Sequence, residues 1–183
     1  MGFCSREVED RKLVLDEEWE VLVWAVGDVF IFDLSSVQAC ASKSPLELKK
    51  KHYGGLGLRG SGEWEGKGEA CRFLTREGKT RSDGHGTRAR WCDVWGRLEG
   101  KATGIVVHCH PENFRFPQPM RIHPSEPFFN FAPSQGGDWS IDPGTPYVAR
   151  YRFVVYDGLP DPDDLDRLWN DYAYPPVVYV GEN

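Results

Sequence analysis

Residues Tyr147-Val-Ala-Arg-Tyr-Arg-Phe-Val-Val-Tyr156 alternate with a period of two, and this stretch most narrows the folds open to the chain. Tyr147, Ala149, Tyr151, Phe153 and Val155 fall on one side of a strand, with Val148, Arg150, Arg152 and Val154 on the other. A strand with one apolar face needs a second layer to cover it. Other short runs repeat the pattern. Glu18-Trp-Glu-Val-Leu-Val-Trp-Ala25 and Val29-Phe-Ile-Phe-Asp-Leu34, with Gly27-Asp28 between them, read as a hairpin. Arg88–Trp95 and Thr103–Cys109 read as partner strands joined by a turn over Gly96–Lys101. Leu46–Lys51 suggests a short polar strand, and Ala70–Thr75 interrupts the Gly- and charge-rich loops of 60–87.

One helix is expected, after residue 160. Asp161 is a suitable N-cap, Pro162 suits the first helical position, and Asp163 and Asp164 suit the positive end of the dipole. Leu165, Leu168, Trp169 and Tyr172 form an apolar stripe, and Pro175-Pro176 ends it. Many strands at short spacing and one late helix predict an all-β fold: an antiparallel β-sandwich, of jelly-roll or supersandwich type, with one C-terminal α-helix. The expected division is a flexible leader over 1–11, one sandwich domain over 12–176 and a tail over 177–183.

The chain's 183 residues, 40% of them hydrophobic, are enough for one domain with a real core. The net charge of −6 argues against nucleic acid and anionic membranes as partners. No apolar run approaches the roughly 20 residues of a membrane span. The N-terminus has no signal-peptide core, so a cytoplasmic location is expected of the sequence as it stands, a signal lost with a missing N-terminal part remaining open. Cysteines at 4, 40, 71, 92 and 109 give neither a disulfide framework nor a zinc pair and read as free thiols.

The candidate site centres on His108–His123, at the mouth of the apolar run Gly104–Val107. A carbohydrate-related small molecule needs flat apolar faces and hydrogen-bonding groups for its hydroxyls. Trp91, Trp95, Phe129 and Trp139 are the candidate platforms, with Arg59, Asp93, His110, Asn113 and Arg121 as ligand-binding residues. Asp93, His110 and Glu112 are the candidate catalytic groups, and Glu126 is a further carboxylate for a glycosidase-like pair. The alternative is a metal-dependent oxygenase or hydrolase. His108 and His110 share a strand face, His123 returns from a loop, and such a set would take iron, zinc or manganese. His-x-His is a weak signal, however, and His110 before Pro111 reads better as a loop residue bonded to backbone, with the other histidines partly exposed.

Tyr53-Gly-Gly-Leu-Gly-Leu-Arg59, Arg88-Ala-Arg-Trp-Cys-Asp93 with Gly96, His110-Pro-Glu-Asn-Phe-Arg115, Pro117-Gln-Pro119 and Tyr151-Arg-Phe-Val-Val-Tyr-Asp-Gly158 stand in one order. In that order they resemble the PmoA-like family, over roughly residues 12–175. The resemblance implies a sugar-related role. The family is also labelled methane oxygenase, after a subunit of a membrane methane monooxygenase, but methane oxidation is not expected of a chain without an apolar run long enough to span a membrane. It also implies that this chain corresponds to the C-terminal portion of longer members. A third reading follows: a non-catalytic interaction domain or truncated remnant that associates with itself through an uncovered edge or face.

Overall fold

The computed structural model describes residues 12–27, 29–66 and 70–177. The expected leader, Asp28 of the hairpin turn and residues 178–183 of the tail lie outside the described residues. The strands are β1 (Leu15–Trp24), β2 (Phe30–Cys40), β3 (Leu46–Leu48), β4 (Leu56–Arg59), β5 (Cys71–Thr75), β6 (Trp91–Leu98), β7 (Lys101–Cys109), β8 (Met120–Ile122), β9 (Phe128–Phe131), β10 (Trp139–Ile141) and β11 (Tyr147–Asp157). The helix α1 spans Pro162–Ala173.

Three sheets result, all antiparallel. The largest has the order β1-β2-β11-β7-β6-β5, the second β4-β9-β8, and the third pairs β10 with β3. The alternating stretch 147–156 is thus central to the main sheet, hydrogen-bonded to β2 on one side and β7 on the other. Its alternation sorts the core into two layers. Ala149, Tyr151 and Phe153 join Leu34, Cys92, Val94 and Val107 against Met120, Ile122, Phe129 and Phe131 of the small sheet. Val154 joins Ile31, Trp91 and Val106 on the opposite face, beneath Leu165, Trp169 and Ala173 of α1. The fold is the expected all-β sandwich with a C-terminal helix. Each large side chain buried in these layers contributes roughly 1.5–3 kcal/mol relative to exposure.

The helix forms where its caps predict. Asp161 accepts from the Asp163 amide at 2.9 Å, with Pro162 inside the first turn. Its stripe docks through the Trp169 indole, which donates to the Cys109 carbonyl at 3.0 Å.

Several boundaries differ from expectation. The β6–β7 connection is shorter than the turn read over 96–101, because the strand continues to Leu98 and Glu99-Gly100 turn the chain alone. Both residues have positive φ (49° and 80°), the two-residue hairpin geometry that matches strand twist. Arg88 makes only an isolated bridge to Pro119, so β6 starts at Trp91 instead. Among the described residues no helix is long and apolar enough to cross a membrane.

Candidate functional site

The structure separates the residues expected to form one site. Trp91 is 1% exposed beneath α1, and Phe129 is sealed between the sheets, so neither is a ligand platform. Asp93 is buried on the helix side, where burial raises its pKa to about 7 although the Tyr156 hydroxyl donates to it. His108 is buried on that same face with neither ring nitrogen hydrogen-bonded, and burial pushes its pKa down to about 3.

The 110–115 segment is held by backbone contacts. His110 Nδ1 accepts from the Glu112 amide at 3.2 Å, and the ring sits edge-on to Tyr172 at 5.0 Å. Glu112 accepts from Arg150 at 2.7 Å. Asn113 clamps β11, donating to the Arg150 carbonyl at 2.7 Å and accepting from its amide at 2.8 Å.

The remaining candidates lie with the small sheet. Arg59 donates to Glu126 at 2.9 Å. Arg121 donates to the Ile122 carbonyl at 2.7 Å and lies over the Tyr53 ring. His123 Nδ1 accepts from the Glu126 amide at 2.9 Å and caps its own loop.

The metal set therefore does not assemble. His108 lies under the helix face of the main sheet, while His123 closes a loop between β8 and β9. Among the described residues no group of three or more His, Cys, Asp or Glu side chains could hold a metal ion. The carboxylates Asp93, Glu112 and Glu126 are likewise committed to three different neighbours, Tyr156, Arg150 and Arg59. Cys71, Cys92 and Cys109 are free thiols buried in the core. Burial pushes Cys71 up to about 11 and Cys109 up to about 12, and raises Cys92 well above the usual thiol range.

An open cleft lies elsewhere, between the uncovered end of the main sheet and β4. Register builds its floor. Glu17, Gln38 and Tyr147 stand in one row across β1, β2 and β11, and Trp19, Ser36 and Ala149 in the next. The small side chains of Ser36 and Ala149 leave a hollow flanked by Trp19. Gly55, Leu56 and Gly57 form the roof, and the cleft encloses about 220 Å3.

Gly55 has φ +119°, and a Cβ there would run into the Phe131 carbonyl, so only glycine brings the chain this close. Ser36 donates to Glu17 at 2.6 Å and Gln38 donates at 2.9 Å. Together with the Trp19 indole they hold the Glu17 carboxyl below its usual range, so it is ionised at neutral pH. Trp19 is 64% exposed.

Glu17, Ser36 and Gln38 lie outside the strands that the sequence pattern predicts over 18–25 and 29–34, because β1 begins at Leu15 and β2 continues to Cys40. The available signal was the spacing of Glu17 with Trp19, Val21 and Val23, which puts a carboxylate on an otherwise apolar face.

A family model described as a family of unknown function, DUF6807, matches residues 6–170. No curated protein matches the chain, and no solved structure does. The match corrects the resemblance drawn from the short motifs: nothing in it connects the chain to PmoA or to a methane oxygenase. Residues of these motifs have structural roles here, such as Gly55 beneath the Phe131 carbonyl and Asn113 clamping β11.

Proposed function

We propose, from the premise that this chain belongs to the DUF6807 family of unknown function, that it binds a single polyhydroxylated ring in the cleft between β1, β2, β11 and β4. The observation that carries this reading is the placement of Glu17 and Trp19 on one strand face over a hollow. An ionised carboxylate accepts hydrogen bonds from ring hydroxyls, and Ser36 and Gln38 beside it supply further polar atoms. The exposed indole offers a flat apolar face to the C–H side of a sugar. The volume of about 220 Å3 is below the 300–1,000 Å3 of drug-sized sites and suits one ring rather than a chain. Glu17 is the one carboxylate among the described residues lining the cleft, which favours binding over the paired-carboxylate chemistry of a glycosidase.

The test is a calorimetric titration of the folded protein with a panel of neutral monosaccharides, repeated on Trp19→Ala and Glu17→Gln. Saturable binding is expected, lost in Trp19→Ala and weakened at least tenfold in Glu17→Gln. Absence of binding across the panel, or unchanged affinity in both variants, overturns the reading.

A second reading, self-association, rests on β1. It is an edge strand of the main sheet, and Val21, Leu22, Val23 and Trp24 are all exposed, on both faces. Two copies paired antiparallel at this end would set Leu22 against Leu22 and Val21 against Val23. Glu20 would meet Trp24, and the remaining acidic residues, Asp16 to Glu18, would run past the contact. Sedimentation at rising concentration should show a dimer that Leu22→Lys abolishes. A monomer at all concentrations excludes it.

A further inference from the structure

We propose that the pocket lined by Lys50, Lys51, His52, Tyr53, His85 and Gln135 is a binding site for a tetrahedral oxyanion, a phosphate or sulfate group. The inference is independent of the cleft reading. The pocket encloses about 630 Å3, within the range of small-molecule sites. Among the described residues that line it, four of six are lysine or histidine and none is a carboxylate, on a chain with 28 acidic against 22 basic residues. The Arg121 guanidinium adds a further cation, 5.8 Å from the centre of the Tyr53 ring.

The nearby acids are engaged beside the pocket. Asp138 accepts from the Lys50 amide at 2.7 Å and from Lys49 Nζ at 3.1 Å, and Glu126 accepts from Arg59. Gathering cations without a counter-charge is unfavourable, and an anion relieves it.

The cationic side chains are presented by a fixed backbone. The Lys51 amide donates to the Ser134 carbonyl at 3.3 Å, and Gln135 donates to the His52 carbonyl at 3.1 Å. Gly54 and Gly55, with φ +115° and +119°, turn the strap into β4. On the other side, the Gly86 amide donates to the Met120 carbonyl at 2.8 Å and anchors the loop that carries His85. The two imidazoles stand 6.3 Å apart and tilted by 52°, so both can donate to one oxyanion between them.

Partial burial lowers the His85 pKa, and Arg121 and His52 lower it further. The charged neighbours acting on it are Arg121 from β8 and His52 from the strap, and Lys50 and Lys51 line the same pocket. A bound dianion would oppose their repulsion and lift that pKa.

The experiment is titration with inorganic phosphate at constant ionic strength against chloride. It is read by calorimetry and by proton NMR of the histidine rings, on the parent and on His85→Gln and Lys51→Gln. Saturable binding is expected, with an upward shift of the His85 titration. Each substitution should weaken it at least fivefold, and Trp19→Ala should leave it unchanged. A sugar phosphate binding more tightly than inorganic phosphate would identify the anion as part of a larger ligand. Equal affinity would identify the free ion. Phosphate behaving as chloride, or binding that survives both substitutions, overturns the proposal.

Discussion

Tyr156 donates its hydroxyl to Asp93 across an intervening strand, at 2.8 Å from both carboxylate oxygens. Tyr156 is on β11 and Asp93 on β6, and β7 runs between them. The register sets Tyr156 opposite Gly104 and Gly104 opposite Trp95, so the phenol ring crosses over a residue without a side chain. A glycine in mid-strand, unfavourable by propensity, is here what allows a buried carboxylate its partner.

Substituting Gly104→Ala should therefore destabilise the protein by about 1–3 kcal/mol, the range for overpacking a filled site. Its new methyl would collide with the Tyr156 hydroxyl and ring and approach the Trp95 Cβ to 2.7 Å. Urea unfolding measures this. Stability equal to the parent would show that the ring moves aside freely.

Asp93 makes stability fall as pH rises. Its pKa is about 7 in the folded protein against 3.8 for the free group, so between these values the folded state holds a proton that the unfolded state has released. Stability from this group is complete below about pH 4 and declines until pH 7, by an amount on the order of 4 kcal/mol at most. Asp93→Asn keeps an acceptor for Tyr156 and removes the decline. Its stability relative to the parent should rise between pH 4 and 7, as followed by thermal melts across that range. Parallel curves would contradict a neutral Asp93.

His108 has the opposite sign. Its pKa falls from 6.5 to about 3 in the folded protein, so stability is complete above pH 6.5 and is lost as pH drops toward 3. The two groups partly cancel between pH 4 and 6.5, and the parent should show a shallow profile there. With both ring nitrogens unpartnered, His108→Leu gives up no hydrogen bond. It should be neutral or stabilising by about 1–3 kcal/mol at pH 7 and should flatten acid unfolding. Marked destabilisation at pH 7 would reveal a partner for the ring.

Arg115 holds the turn after β9. It donates to the carbonyls of Pro133 at 2.7 Å, Gly137 at 2.9 Å and Asp138 at 3.1 Å, from a backbone at φ +63°. Lysine cannot reproduce this fork. Arg115→Lys should cost about 2 kcal/mol and, by loosening the turn it holds, speed amide exchange over 134–138. Unchanged exchange would count against this role.

Local pattern settled much of the fold. Alternation in 147–156 determined which side chains face each layer, and the cap at Asp161 with the stripe through Leu165 and Trp169 determined the helix. These are nearest-neighbour properties, carried by a period of 2.0 or 3.6 and by backbone groups that need capping. Only tertiary structure decided the partners of each face. Trp91 and Asp93 alternate like residues of a ligand-binding strand, yet the helix that covers them comes some 70 residues later in the chain. The histidines of 108–123 are near in sequence, but the cis Phe116-Pro117 bond lies between them and the chain passes from the main sheet to the small one. The cleft needed the register of β1, β2 and β11 together, and the basic pocket needed residues 50–53 to meet 85, 121 and 135. Such meetings depend on long-range pairing, which single-strand periodicity does not encode.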